Sequence, residues 1–317
     1  MSRKVCGVLA GLTVCAAIMM SGCNPSGELS LKFTPDQTAT YKSVSDVVKD
    51  FRFEQPNLGK LREEQTKTAI EMTFTQTIQS VDDAGNAVAK ITIDGLKVNI
   101  INKNENRFSF DSSKQDDLKS PLAKLLGQSY TIQISPDGDV KVLDTKKALT
   151  AVPTGYENKI ATSLLDNDNI TQRHQIQALP KNAAANLSVG STWDVVVASP
   201  PGLLAPKSFK KVYTLSSIKT VDGSKIATVK MTATEDAEPA GGVSAGGMGM
   251  FAKMFDNEDA YTGTMTINLD TGTVLKADET LISTYLAQEM PENGDPAKGP
   301  DTLTMQFTNR VGLEKLD

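Results

Sequence analysis

From Phe33 onward, apolar and polar residues alternate over long stretches, and a period of two fits a strand with one buried face. Ile70-Glu71-Met72-Thr73-Phe74-Thr75-Gln76-Thr77-Ile78 is the plainest instance. Its threonines and β-branched residues suit a pleated, half-buried surface. Asp82-Asp83-Ala84-Gly85-Asn86 reads as a turn and Ala87 to Ile93 as the returning strand. Lys97 to Ile101, Arg107 to Phe110, Tyr130 to Ile134 and Val140 to Leu143 continue the pattern. Between the last two, Ser135-Pro136-Asp137-Gly138 combines the fixed φ of proline with the left-handed position a tight turn needs.

The second half uses the same grammar. Ile78-x-x-Val81-Asp82 before a turn has a counterpart in Ile218-x-x-Val221-Asp222, followed by Gly223. Thr131-Ile132-Gln133-Ile134 before Asp137-Gly138 matches Thr266-Ile267-Asn268-Leu269 before Thr271-Gly272, and each turn leads to a valine, Val140 or Val274. The reading is an α+β fold, predominantly antiparallel β, with two related β units and short helices between them. The boundaries are a leader over 1–22, a flexible tether over 23–32, a first β-rich unit over 33–145, a helical connector over 146–179 and a second β-rich unit over 180–317.

The connector departs from period two. Leu118 to Leu126 is a short helix candidate upstream of it. Asn158 to Leu165 and Thr171 to Ala178 form a second candidate, interrupted by Asp166-Asn167-Asp168-Asn169. Ile160, Leu164 and Leu165 give the apolar stripe expected to pack on a sheet. The Asp/Asn run lacks the spacing of a calcium loop and its closing bidentate glutamate.

All three cysteines lie in the first 23 residues. Arg3 and Lys4 precede an apolar run from Val5 to Met20, which ends in Met20-Ser21-Gly22-Cys23. This is the pattern of a secretory leader with a lipid-acceptor cysteine, and Cys23 is the expected attachment residue. The expected location is therefore the bacterial cell envelope, held to the membrane through a lipid anchor, with the outer membrane favoured in a Gram-negative cell.

Composition narrows the chemistry. Removal of the leader takes away two positive charges and moves the formal charge from −5 to −7. An acidic chain does not suit nucleic-acid binding, which depends on neutralising phosphates with Lys and Arg. Lys207, Lys210 and Lys211 read as the solvated start of a strand. With no cysteine after Cys23, the mature chain has no disulfide, thiol nucleophile or cysteine-bound metal. The single histidine, in Gln172-Arg173-His174-Gln175, reads as an exposed helix histidine and not as part of a triad. No cofactor or metal is expected.

Two places stand out as candidate contacts for a ligand or partner. Trp193 opens a strand and is expected to anchor the second core. The glycine-rich segment Gly241-Gly242-Val243-Ser244-Ala245-Gly246-Gly247 runs into Met248, Met250, Phe251 and Met254, an apolar and adaptable end. Carboxylates are numerous but scattered, with Asp116-Asp117 and Asp256-x-Glu258-Asp259 the densest groups.

The lipobox-like leader, the two β-rich halves, the Asp-Gly turns and Val189-Gly190-Ser191-Thr192-Trp193 together resemble a family of uncharacterised bacterial lipoproteins. That resemblance implies a β-rich envelope protein and no known activity. The expected function is a non-enzymatic envelope lipoprotein with a partner-binding or structural role. The alternative is a periplasmic carrier of a hydrophobic ligand, and a carboxylate-dependent hydrolase stands third. A cavity of several hundred Å³ favours the carrier; a filled core opposes it.

Overall fold

The computed structural model describes residues 25–181, 186–236 and 254–316. Its strands are β1 (Ser26–Glu28), β2 (Thr38–Gln55), β3 (Lys60–Val81), β4 (Ala87–Asn102), β5 (Glu105–Asp111), β6 (Ser129–Ile134), β7 (Val140–Asp144), β8 (Asn186–Ser188), β9 (Thr192–Ala198), β10 (Ser208–Val221), β11 (Ser224–Asp236), β12 (Asp256–Asn268), β13 (Thr273–Glu289) and β14 (Asp301–Leu316). Three short helices, α1 (Lys146–Leu149), α2 (Tyr156–Leu164) and α3 (Asn167–His174), follow β7.

Twelve strands form one antiparallel sheet in the order β7-β6-β4-β3-β2-β14-β13-β12-β11-β10-β9, with β5 also paired to β4. Strands of the first half fill one end and strands of the second half the other. They meet where β2 pairs with β14, so the sheet runs unbroken across the middle. β1 and β8 make a separate two-stranded ribbon.

Local chemistry explains the hairpins. Asp222 and Gly223 both have positive φ and link the paired residues Val221 and Ser224. That two-residue turn matches the twist of the strands it joins. Lys103 and Asn104 do the same between Asn102 and Glu105. Each strand buries alternate residues on an inner face. In β4, Ala87, Ala89, Ile91 and Ile93 are fully buried while Lys90 is exposed. The outer face is solvated and carries cross-strand ion pairs, including Lys42 with Glu314, Lys97 with Glu71 and Arg52 with Glu63. Exposed pairs of this kind contribute about 0.2–1 kcal/mol each.

The helices cover the inner face at the first end. α1 packs on β6, α3 on β7, and α2 on the 3-10 turn Pro121–Leu125. Leu122, Leu125, Ala148, Ala161, Leu164, Leu165 and Ile170 are buried there against the sheet. At the other end, Leu29 and Leu187 from around the β1–β8 ribbon join the core that includes Leu215, Ile267 and Leu269.

Between the tether and the helical connector the structure departs from the sequence reading in the following ways. The expected flexible tether is ordered from Pro25: Ser26–Glu28 pairs with Asn186–Ser188, Leu29 is fully buried, and the Leu31 N–H donates to the Pro136 carbonyl. Leu29 and Leu31 supply apolar area that outweighs the polar look of their neighbours. The helical segment breaks at Leu165 and Asp166, as expected, but the rest of the Asp/Asn run forms the first turn of α3. Asp166 caps α3 by accepting from the Asn169 N–H at 2.8 Å, and α3 ends at His174, not at Ala178. His174 is not exposed. It is 5% accessible, lies 2.7 Å from the Tyr130 hydroxyl through Nε2, and meets the Phe74 ring edge-on.

Candidate ligand cavity

Several inward positions near the centre of the sheet are small: Ser43, Ser45, Gly263 and Ala277. Across the strands, hydrogen-bonded neighbours run Ile70–Ser45–Val311–Glu279–Gly263–Met231–Tyr213. The next row runs Met72–Ser43–Leu313–Ala277–Met265–Val229. Serine, glycine and alanine at these sites leave depth that the helices, seated over the first end, do not fill.

The result is a cavity of about 510 Å³, partly open to solvent. Its floor is the inner face of the sheet from β3 across to β9. Its roof comes from the ends of α2 and α3, the turn-containing segment Gln175 to Ala178, and the loop Ser199 to Pro201. The size lies within the roughly 300–1,000 Å³ usual for small-molecule sites. The wall mixes apolar side chains, among them Val47, Ile70, Met231, Met265, Val311 and Leu313, with a few polar groups. Gly263 matters to its shape: a Cβ there would sit 3.0 Å from the Asp278 carbonyl, Glu279 Cγ and Met231 Cε.

One polar cluster is built into the wall. Lys211, only 2% accessible, places Nζ 2.6 Å from Glu279 Oε2 and 2.7 Å from Gln177 Oε1. The Tyr261 hydroxyl donates to the same Glu279 oxygen at 3.1 Å, and the Lys211 ammonium lies 4.8 Å from the centre of the Tyr261 ring. Each charge offsets the other's desolvation, which is what allows both to sit in so dry a place. Burial, and then the negative charge of Glu279, push the Tyr213 and Tyr261 hydroxyls well above the usual tyrosine range. Glu279 acts on the buried Tyr213 hydroxyl both through its charge and as a hydrogen-bond acceptor, and each favours the protonated phenol.

Arg173 lines the roof. It donates to the Leu164 carbonyl at 3.0 Å and to the Tyr130 hydroxyl at 3.4 Å. Burial, with a smaller contribution from the Arg173 charge, holds the neighbouring His174 well below the ordinary histidine value.

The sequence-derived contact residues fare differently. Cys23, Met248, Met250 and Phe251 lie outside the described residues. Met254 is 70% exposed and does not line the cavity. Trp193 stacks on Tyr213 with centroids 5.9 Å apart, so it backs the cavity wall instead of forming it. Lys211, Glu279, Tyr213 and Gln177 were not anticipated. Lys211 corrects the expectation of a solvated strand start: it shares the inward parity of Phe209, Tyr213 and Leu215, and that alternation was the available signal. The dense acidic groups lie elsewhere. Asp116 pairs with Lys119 on the surface, and Asp259 pairs with Lys207 at 2.6 Å.

No protein-family model matches this chain, and no curated protein matches it in sequence. Solved structures do align with it. One, described as showing lipid–protein interactions in lipovitellin, has 10% identity and a TM-score of 0.41 over 90% of this chain and 26% of that one. The chain thus spans about a quarter of the lipovitellin chain it matches. A DUF1329 family protein from Desulfovibrio piger has 12% identity and a TM-score of 0.16, covering 86% of this chain and 85% of that one. Pseudomonas aeruginosa OpdQ has 8% identity and a TM-score of 0.21, covering 88% and 98%.

Proposed function

We propose that this chain is a non-catalytic carrier that holds an amphipathic ligand between its sheet and its helices. The observation that supports this reading is the cavity of about 510 Å³, walled by apolar side chains from both halves of one sheet. A structural protein has no use for such a space, because an unfilled cavity forfeits the contacts that packing would bring. The polar cluster around Lys211 is internally neutral, which suits a wall that orients a ligand better than one that reacts with it. Lipid attachment at Cys23 belongs to the same proposal and would hold the carrier at an envelope membrane.

The test is mass spectrometry of the full chain purified from its native envelope, under conditions that keep non-covalent ligands bound. The carrier reading expects a stoichiometric amphiphile distinct from any anchor on Cys23. A chain that carries none, and that takes up no long-chain lipid when offered one, overturns it. An unmodified Cys23 would overturn the anchor alone.

A further inference from the structure

Four charged residues line the cavity, Arg173, Lys211, Asp278 and Glu279, of which Asp278 turns its carboxylate to the outer face of the sheet. Three are answered by the protein itself. Lys211 and Glu279 pair with one another at 2.6 Å. Asp278 has Lys276 at 3.4 Å and Arg310 at 3.7 Å. Arg173 is the exception. Its two hydrogen bonds go to a peptide carbonyl and a tyrosine hydroxyl, both neutral, and among the described residues no carboxylate pairs with it. A guanidinium has five N–H donors in a planar fork. Here two bonds hold the partly buried group in the cavity wall, leaving donors free and no carboxylate opposite the charge among the described residues.

Resting on the carrier reading, we propose that the ligand is an acyl chain with a single acidic headgroup, carboxylate or phosphate, and that Arg173 binds that headgroup. The apolar wall along Val311, Met231 and Met265 takes the chain. Both acids match the guanidinium fork, and a charge-assisted contact in a partly desolvated site is the strong kind. The competing account is structural: Arg173 sits in the last turn of α3, where a cation is favoured, and ties that turn to the end of α2. A structural arginine would affect every ligand alike. A headgroup arginine would affect only acids.

The experiment measures equilibrium binding of oleate, oleoyl lysophosphatidic acid and methyl oleate to the full chain, each delivered from cyclodextrin. At least one acid should bind about tenfold or more tighter than the ester, as expected for one charged hydrogen-bonded contact. Arg173→Met should bring the acids down to the affinity of the ester and leave the ester within about twofold. Arg173→Lys, which keeps the charge, should retain most of the preference. The stronger acid identifies the headgroup. Equal binding of acids and ester by the unaltered chain overturns this proposal while the carrier reading stands. A uniform loss for acids and ester in Arg173→Met also overturns it, in favour of the structural account. Binding of none of the three removes the carrier reading and this proposal together. If Arg173→Met does not fold, the unaltered chain and Arg173→Lys decide the matter.

Discussion

Replacing Lys211 with methionine keeps an unbranched apolar stem one atom shorter and removes the charge. Glu279 then loses the ammonium at 2.6 Å and keeps the Tyr261 hydroxyl at 3.1 Å. Breaking a buried pair from one side costs about 3–5 kcal/mol, because the remaining charge is left desolvated. Glu279 retains 20% exposure of its side chain, so the lower end of that range, about 3 kcal/mol, is expected. Glu279→Leu strands Lys211 at 2% exposure and should cost at least as much. The double variant Lys211→Met/Glu279→Leu strands neither charge, and buried pairs replaced by apolar residues are often neutral in stability. It should lie within about 1 kcal/mol of the unaltered chain. Urea unfolding measures all four species, and an unchanged slope with denaturant shows that the surface exposed on unfolding is the same. The reasoning is refuted if the two single costs simply add in the double variant, since residues that form one pair must couple.

Filling the cavity should separate binding from folding: Ser45→Leu places an apolar side chain over the centre of the floor and should weaken lipid uptake about tenfold or more, while the melting temperature holds within a few degrees. Burial raises the Tyr41 hydroxyl to about 12 and raises Tyr213 and Tyr261 as well, so these groups stay protonated in the folded chain after they ionise in the unfolded one. Their contribution is complete below about pH 10, and stability falls by about 1.4 kcal/mol per pH unit per tyrosine between there and their folded values, as alkaline unfolding curves can check. His174 works in the opposite direction. Its folded value lies well below 6.5, so its contribution is present above that pH and is lost as the unfolded chain takes up the proton on acidification. His174→Phe should flatten the acid limb. Asp259 Oδ1 is buried without a hydrogen-bond partner beside its cross-strand neighbour Ser283, whose hydroxyl interacts with that of Tyr285. A high-resolution crystal structure should place an ordered water among them.

Much of the sheet was legible because each strand buries one face. Ile70 to Ile78 and Ala87 to Ile93 form paired strands as their alternation predicts, and the Asp222-Gly223 turn falls where its chemistry requires. What alternation cannot carry is register between distant strands. Nothing in the composition of β2 or β14 says that they pair, yet that junction makes one sheet and sets the cavity at its centre. The cavity residues were missed for a related reason. Lys211 and Glu279 look like ordinary surface charges until their strands' parity is taken seriously, and only the fold brings them to 2.6 Å. His174 was misread because a polar neighbourhood in sequence hid the aromatic one in space, Tyr130 and Phe74 lying 44 and 100 residues away along the chain.

The pairing of β2 with β14 also governs how this protein can come into being. The bond between the Gln55 and Asp301 side chains spans 246 residues, so the centre of the sheet closes only when the last long strand has arrived. Contacts of such separation carry a large loop-closure cost and make folding slow. The wait falls on the binding space in particular, since its floor needs β2 and β3 from one end of the chain and β9 to β14 from the other. A chain emerging from a ribosome or a translocation pore therefore has no closed cavity until β14 has emerged and paired with β2. On the carrier reading, loading follows folding: a ligand can be taken up only after β14 has docked against β2.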